Sequence, residues 1–192
     1  MFFMSLLVKR RSVDDLFQSF QNGSNVVPNP NQQMKDTETS LRWIVEILER
    51  HKIPFQIGGG FAAHVYGSGR EIADIDIAIP EDNFDTIMPE IKVYVTYGPA
   101  HYVDDDWDLQ LLTISHHGQE IDFAGAYQKK FFDLKTKEWI AFPTDFSSSE
   151  YREIYGMRVP LMAKEKLIAY KKMLGRKVDL EDLNGLGEEI AE

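Results

Sequence analysis

The sequence predicts an α+β fold for one compact domain. Three observations support this prediction: a helical repeat of apolar residues over residues 37–52, strand patterns over residues 74–79 and in a hairpin over residues 109–124, and two further helical patterns between residues 163 and 190. With 192 residues, of which 43% are hydrophobic, the chain is long enough to bury a core around these elements.

The first predicted helix marks the start of the domain. Leu41, Ile44 and Leu48 recur at helical spacing, and Asp36 or Thr37 is suited to cap the helix. Before it, residues 1–20 have a short helical pattern and residues 21–35 are rich in turn-forming residues. We therefore predict an appendage over residues 1–36 and a domain over residues 37–192.

A strand, a turn and a short helix follow this helix. Pro54 ends the helix, residues 55–57 form a buried strand, Gly58-Gly59-Gly60 forms the turn, and residues 61–66 form a short helix. The strand Asp74–Ile79 first alternates charged and apolar residues, which predicts that one face is open at its start.

The remaining elements are predicted from shorter patterns. A helix is expected over residues 81–91, a hairpin turns at His117-Gly118, and Gly175 ends a helix that begins at Ala163. The other segments are two weak strands (92–97 and 101–103), an ambiguous stretch (131–140), a short strand (156–160) and a last helix (180–190).

Charge and composition narrow the function. The net charge of −10 repels phosphate backbones, so tight binding to long duplex nucleic acid is not expected. The basic segment 163–177 is the expected anion-facing surface. The apolar run at residues 2–8 is too short to span a membrane, and cysteine is absent, so a cytoplasmic protein without a membrane partner is expected.

Three acidic residues are candidate metal ligands. Asp74 and Asp76 lie two apart on one strand and therefore face the same side, where two carboxylates repel each other unless a cation lies between them. Asp122 lies between Ile and Phe on another strand, and Glu120 shares its face as an alternative ligand. Carboxylates favour Mg²⁺ or Mn²⁺, although solvent-exposed strand faces would give the same patterns.

The three glycines are candidate phosphate-binding residues. Gly58, Gly59 and Gly60 stand between a strand and a helix, where backbone N–H groups can approach an anion closely. The alternative is a tight turn without a ligand.

The stretch from Ile57 to Asp76 resembles the signature of the DNA polymerase beta-like nucleotidyltransferase superfamily. That signature is a hydrophobic residue, a glycine pair (Gly59-Gly60 here), about a dozen residues and Asp-x-Asp, with a later Asp on another strand (Asp122 here). The C-terminal segment from Leu167 to Asp182 also resembles the ending of small bacterial members, including toxins paired with antitoxins. The resemblance runs from about residue 38 to 187 and implies a central mixed β-sheet flanked by helices, with further helices at the C-terminus.

The resemblance also implies a mechanism, which is two-metal phosphoryl transfer. Asp74, Asp76 and Asp122 would hold the metal and be catalytic, and Gly58, Gly59 and Gly60 would bind the phosphates of a nucleoside triphosphate. Arg70 and Lys171 would bind the leaving pyrophosphate, or else lie on the surface. Two departures from the pattern are Ile72, where many relatives carry Ser or Thr, and a turn of glycine alone, where many carry Gly-Ser.

Three functions remain open at this stage. The chain could be a transferase that acts on a small molecule, a protein side chain or an RNA end. It could be a toxin-like enzyme with an antitoxin partner, or a nucleotide-binding module without catalysis, and a homodimer is also open.

Several polar residues are predicted to have structural roles. Arg176 is expected to form a salt-bridged cap with Asp179 and Asp182 between the last two helices. His64 is expected to be packed, and His116-His117 and Lys129-Lys130 are expected to lie in exposed turns.

Overall fold

The computed structural model describes residues 35–189, in which five α-helices and nine β-strands form an α+β domain. The helices are α1 (Thr37–Arg50), α2 (Gly59–Val65), α3 (Phe84–Ile91), α4 (Lys164–Leu174) and α5 (Lys177–Gly185). The strands are β1 (Gln56–Ile57), β2 (Asp74–Ile79), β3 (Val95–Val103), β4 (Trp107–His116), β5 (Gln119–Gly125), β6 (Lys130–Asp133), β7 (Glu138–Ala141), β8 (Glu150–Ile154) and β9 (Met157–Leu161).

The nine strands form one mixed sheet in the order β7-β6-β4-β5-β2-β1-β9-β8, and β3 pairs with β4 beside this row. The pairs β2–β5 and β1–β9 are parallel, and the other pairs are antiparallel. The α+β class and the mixed sheet are therefore confirmed.

The strand predictions were most accurate at the centre of the sheet. β2 has the predicted bounds, since Pro80 cannot continue the ladder. The hairpin of β4 and β5 turns at His117 and Gly118, which both have positive φ angles (46° and 72°), as a tight hairpin turn requires.

Helix α1 packs the core against one face of this sheet. The side chain of Asp36 accepts a hydrogen bond from the backbone N–H of Thr39 at 3.0 Å, which confirms the predicted cap. The apolar residues of the helix, including Leu41, Ile44 and Leu48, are fully buried against the inward residues of β2 and β5. Their periodicity predicted this packing correctly.

A second apolar cluster covers the opposite face of the sheet. Ala62 and Ala63 of α2 meet Leu167 and Leu174 of α4 there, beside the buried ring of Phe131. Gly175 ends α4 in the left-handed conformation at a φ of 61°, as predicted. This packing holds α2 and α4 over the face that carries the acidic residues.

The structure differs from the predictions at the sheet edges. The weak strands join into one strand, β3, the ambiguous stretch forms the hairpin of β6 and β7, and β8 was not predicted. Helix α5 begins at Lys177, three residues before the predicted start, and α2 begins within the glycine turn at Gly59.

The predictions for the N-terminal segment concern residues outside the described part. The short helix over residues 1–20 lies entirely before residue 35, as does nearly all of the predicted loop, so the appendage over residues 1–36 stays a prediction. Among residues 35–189, no helix has the length and apolar character needed to cross a bilayer.

Candidate active site

Strand register brings the acidic residues together on one face of the sheet. β2 and β5 run in parallel, with Asp74 opposite Glu120 and Asp76 opposite Asp122. Because side chains alternate along a strand, all four carboxylates face the same side. One carboxylate oxygen from each of Asp74, Glu120 and Asp122 lies within 4.8 Å of the other two, and all three residues are partly buried. This group has the donor type and spacing that suit a divalent cation.

Asp76 occupies a different part of the same face, next to the glycine turn. Burial and the charges of Asp74 and Asp122 together raise the pKa of Asp76 to about 8, against the opposing charges of Lys171 and Arg176. The four clustered acids therefore repel one another, and a bound cation would relieve that repulsion.

Thr113 fixes the orientation of Asp122 from the neighbouring strand β4. Its hydroxyl donates a hydrogen bond to Asp122 Oδ1 at 2.5 Å, and Thr113 itself is buried. The two residues are directly opposite in the β4–β5 ladder, which explains why their side chains meet.

The glycine turn lies directly against Asp76. The backbone N–H of Gly58 donates to the carbonyl of Asp76 at 2.9 Å, and Gly59 has a φ of 57°. A Cβ atom on Gly59 would come within 1.6 Å of Asp76 Oδ2, so only glycine fits this position. The first N–H groups of α2 have no acceptors within the helix, so they are suited to bind an anion beside the acids.

Arg70 lies over the start of α2. A Cβ atom on Gly60 would come within 2.3 Å of Arg70 Nη2, so the absence of a side chain there makes room for the guanidinium. Arg70 also donates to both carboxylate oxygens of Asp182, at 2.9 and 3.2 Å. Arg70 therefore lies beside the glycine turn, and its predicted role in binding the leaving pyrophosphate stays a prediction.

Lys171 lies in a buried ion-pair network behind the site. Its ammonium is 3.0 Å from Asp179 Oδ1 and 2.8 Å from Asp182 Oδ2, and both aspartates are fully buried. Burial alone would raise the pKa of Asp182, but Arg70 and Lys171 hold it below the usual value. A surface position for Lys171, left open by the sequence, is therefore wrong.

Arg176 completes this network through the predicted pairing with Asp179, whereas Asp182 is held by Arg70 and Lys171. Its guanidinium donates to Asp179 at 2.7 Å and stacks over the ring of Trp107 with 5.2 Å to the centroid. The network links α4 and α5 to the start of α2 through Arg70. It therefore supports the glycine turn from the side of the C-terminal helices.

Three predictions about polar residues were wrong. His64 is exposed and its Nδ1 lies 2.7 Å from the carbonyl oxygen of Arg70, so it is not packed. His116 is buried and stacks on Trp43 with 3.9 Å between ring centroids. Lys129 is partly buried, whereas Lys130 is exposed as expected. In each case the contact comes from a distant part of the chain or from a loop that the local pattern does not reveal.

Comparison with known proteins identifies the family. A family model described as aminoglycoside-2''-adenylyltransferase matches residues 40–186, which is more than half of the chain. The chain belongs to this family. As a member of the aminoglycoside-2''-adenylyltransferase family it is a nucleotidyltransferase, and the predicted superfamily is confirmed. No curated protein matches the chain.

Solved structures share the fold at low sequence identity. TM1012 from Thermotoga maritima, assigned as a nucleotidyltransferase, is 22% identical with a TM-score of 0.57, over 78% of this chain and 93% of its own. The lincosamide antibiotic adenylyltransferase LnuA, solved with lincomycin bound, is 14% identical with a TM-score of 0.53, and the match covers 79% of this chain and 96% of LnuA. The antibiotic-resistance factor ANT(2'')-Ia is 16% identical with a TM-score of 0.51, and the match covers 77% of this chain and 80% of ANT(2'')-Ia.

The site agrees with this membership of the family. The predicted residues Asp74, Asp76, Asp122 and Gly58 to Gly60 all lie on one face around the start of α2. Glu120, which the sequence predicted only as an alternative ligand, forms the close group of carboxylates with Asp74 and Asp122.

Proposed function

We propose that the protein transfers a nucleoside monophosphate from a nucleoside triphosphate to a hydroxyl group of a small-molecule acceptor. The observation that carries this proposal is the convergence of four carboxylates with the start of a helix at a glycine turn. A triphosphate needs both a cation held by acids and N–H groups for its oxygens, and this face offers both.

The carboxylates that would hold metal in this proposal are those of Asp74, Asp76, Asp122 and Glu120. All donors are carboxylate oxygens, which suits Mg²⁺ or Mn²⁺ better than zinc or copper. When bound, the metal neutralises phosphate charge and favours displacement at the α-phosphorus.

The chain's own residues would position and activate the reactants. The acceptor oxygen forms a bond to the α-phosphorus, the bond from the α-phosphorus to the bridging oxygen breaks, and pyrophosphate leaves with that electron pair. Asp122, oriented by Thr113, accepts the proton of the acceptor hydroxyl directly or through water. The N–H groups of Gly59 and Gly60 donate to phosphate oxygens.

Arg70 and Lys171 would have different roles in this reaction. The guanidinium of Arg70 lies against Gly60, where phosphate oxygens would bind, so it is placed to contact the leaving pyrophosphate. Lys171 holds Asp182, which in turn holds Arg70, so Lys171 is a positioning residue in this proposal.

An amino sugar is the first acceptor class to test. The family takes its name from aminoglycoside acceptors, and the net charge of −10 favours a cationic partner. A small molecule therefore has better support than a protein side chain or an RNA end, and the toxin hypothesis has no supporting contact in the described residues.

The test is transfer of α-labelled nucleoside monophosphate from each triphosphate to a panel of hydroxylated small molecules, with and without Mg²⁺. We expect a labelled acceptor and equimolar pyrophosphate with the wild type, and neither product with Asp74→Asn/Asp122→Asn. Asp105→Asn, an acid-to-amide change in an exposed turn, is the matched control and should retain activity. Metal-dependent triphosphate binding without any transfer across the panel would instead favour the non-catalytic module.

A further inference from the structure

Two lysines outside the predicted site share one aromatic ring. Lys129 lies in the loop between β5 and β6, and Lys166 lies in the first turn of α4. Their ammonium groups lie over the ring of Phe142, at 5.7 and 5.1 Å from its centroid. Tyr170 stacks on that ring in nearly parallel orientation, with 4.6 Å between centroids.

Neither lysine has an acidic partner at ion-pairing distance within residues 35–189. Burial and the charge of Lys166 together lower the pKa of Lys129 to about 8, against the opposing charges of Asp76 and Glu81. One cation over a ring is a stabilising contact, but two cations over the same ring repel each other. The pair therefore carries excess positive charge that an anion would neutralise.

The loop that carries Lys129 is held rigidly. One carboxylate oxygen of Glu81 accepts hydrogen bonds from the backbone N–H groups of Tyr127 and Gln128, at 2.8 and 2.9 Å. The N–H of Phe142 donates to the carbonyl of Lys129 at 2.9 Å. A lysine on a fixed loop loses less entropy when it binds a ligand.

The lysines stand at the end of the sheet face that carries the acids. Ala78 and Ala124 are paired in the parallel ladder and occupy the next positions on that face after Asp76 and Asp122. Both are small, and the loop with Lys129 begins immediately after β5. The face thus runs from acids, over alanines, to the two ammonium groups.

We propose that Lys129 and Lys166 form a subsite for the terminal phosphates of the nucleoside triphosphate and for the pyrophosphate that leaves. This inference rests on the proposed function, because it assigns one part of the same substrate. If a metal held by the acids binds the α-phosphate of the triphosphate, the oxygens of its terminal phosphates would lie toward the lysines.

The test compares Lys129→Met and Lys166→Met with Lys130→Met, whose lysine is exposed and paired with Asp108. Titration calorimetry with Mg²⁺ would measure the affinities of ATP, AMP and inorganic pyrophosphate. For each subsite variant we expect a loss of about 10–100-fold in affinity for ATP and pyrophosphate, and little change for AMP. Lys130→Met should bind all three as the wild type does.

Thermal unfolding separates this role from a structural one. Removing a half-buried charge without an acidic partner should leave the melting temperature unchanged or raise it, so lost binding would not reflect unfolding. A lower melting temperature with unchanged ATP affinity would show that the lysines only pack against Phe142, and would overturn the subsite.

The same titrations separate the subsite from the proposed function. ATP binding that Lys129→Met and Lys166→Met leave unchanged overturns the subsite and leaves the proposed function standing. Pyrophosphate binding that depends on the lysines, in a protein that transfers nothing to any acceptor, supports the subsite and counts against the transfer reaction. A wild type that binds neither ATP nor pyrophosphate overturns both.

Discussion

Substitution of Gly59 by alanine tests whether Asp76 and the glycine turn act together. Gly59 has a φ of 57°, and an added Cβ atom would lie 1.6 Å from Asp76 Oδ2. The contact must lengthen to an ordinary van der Waals separation, so the carboxylate must move by about 2 Å. A metal ligand displaced that far is outside the coordination distance, which tolerates only a few tenths of an ångström.

Gly69 offers a matched control for the backbone strain. It has a φ of 75°, but an added Cβ atom would meet no atom within 4 Å. Alanine at either position in the left-handed region costs about 1–2 kcal/mol of stability. Both variants should therefore lose a similar part of the free energy of unfolding, measured by urea denaturation, while only Gly59→Ala also displaces Asp76.

The binding assay is calorimetric titration of a nucleoside triphosphate in the presence of Mg²⁺. Loss of one ligand or of its support should weaken metal-dependent binding by about 100-fold in Gly59→Ala. Gly69→Ala should bind as the wild type does. Equal triphosphate affinity in the two folded variants would refute the role assigned to Asp76 and its contact with the turn.

Three further predictions concern stability, pH and metal binding. Lys171→Met removes the ammonium group that pairs with two buried aspartates, so it should lower the free energy of unfolding, measured by urea denaturation, by about 3–5 kcal/mol. Lys172→Met, at an exposed ion pair, should lower it by less than about 1 kcal/mol. Equal losses in the two variants would contradict the buried network. Burial lowers the pKa of His116 below its usual value of 6.5, against the weaker effect of the charge of Asp36. The neutral ring is therefore favoured in the folded protein, and the melting temperature of the wild type should fall as the pH is lowered from 7 to 5. The melting temperature of His116→Phe should fall less over the same range. Glu120→Gln should weaken Mg²⁺ binding at least about tenfold with little change in melting temperature, and unchanged Mg²⁺ affinity would remove Glu120 from the ligand set.

Strong local patterns explain which parts of the fold the sequence predicted. β2 combines alternation, an apolar end and a terminating proline, and α1 combines a cap at Asp36 with a regular apolar face. β8 lacks such a pattern, because it is an edge strand whose residues are mostly exposed and polar. Its position depends on pairing with β9, which is a tertiary contact.

The candidate site shows the same division between local pattern and tertiary contact. The parity of Asp74 and Asp76 in one strand, and of Glu120 and Asp122 in another, predicted that all four could share a face. The pairing of Asp74 with Glu120 depends on the register of two distant strands, so it could not be predicted.

Lys129 shows what the sequence pattern misses. Two adjacent lysines at the start of a strand are typical of an exposed turn, and Lys130 fits that interpretation. Lys129 is partly buried because Phe142 and the start of α4 pack over its loop. No signal in its immediate neighbourhood indicates this, although the basic segment over residues 163–177, which contains Lys166, was predicted to face an anion.

Triphosphate titration of the wild type and of Asp74→Asn/Asp122→Asn, each with and without Mg²⁺, tests the central claim most directly. We expect the wild type to bind a nucleoside triphosphate only with the metal, and the folded double variant to lose that binding, because two of the three converging carboxylates are gone. Metal-dependent binding of equal strength in the double variant, or no triphosphate binding by the folded wild type, would contradict the assignment of these acids as the metal site of a nucleotidyltransferase.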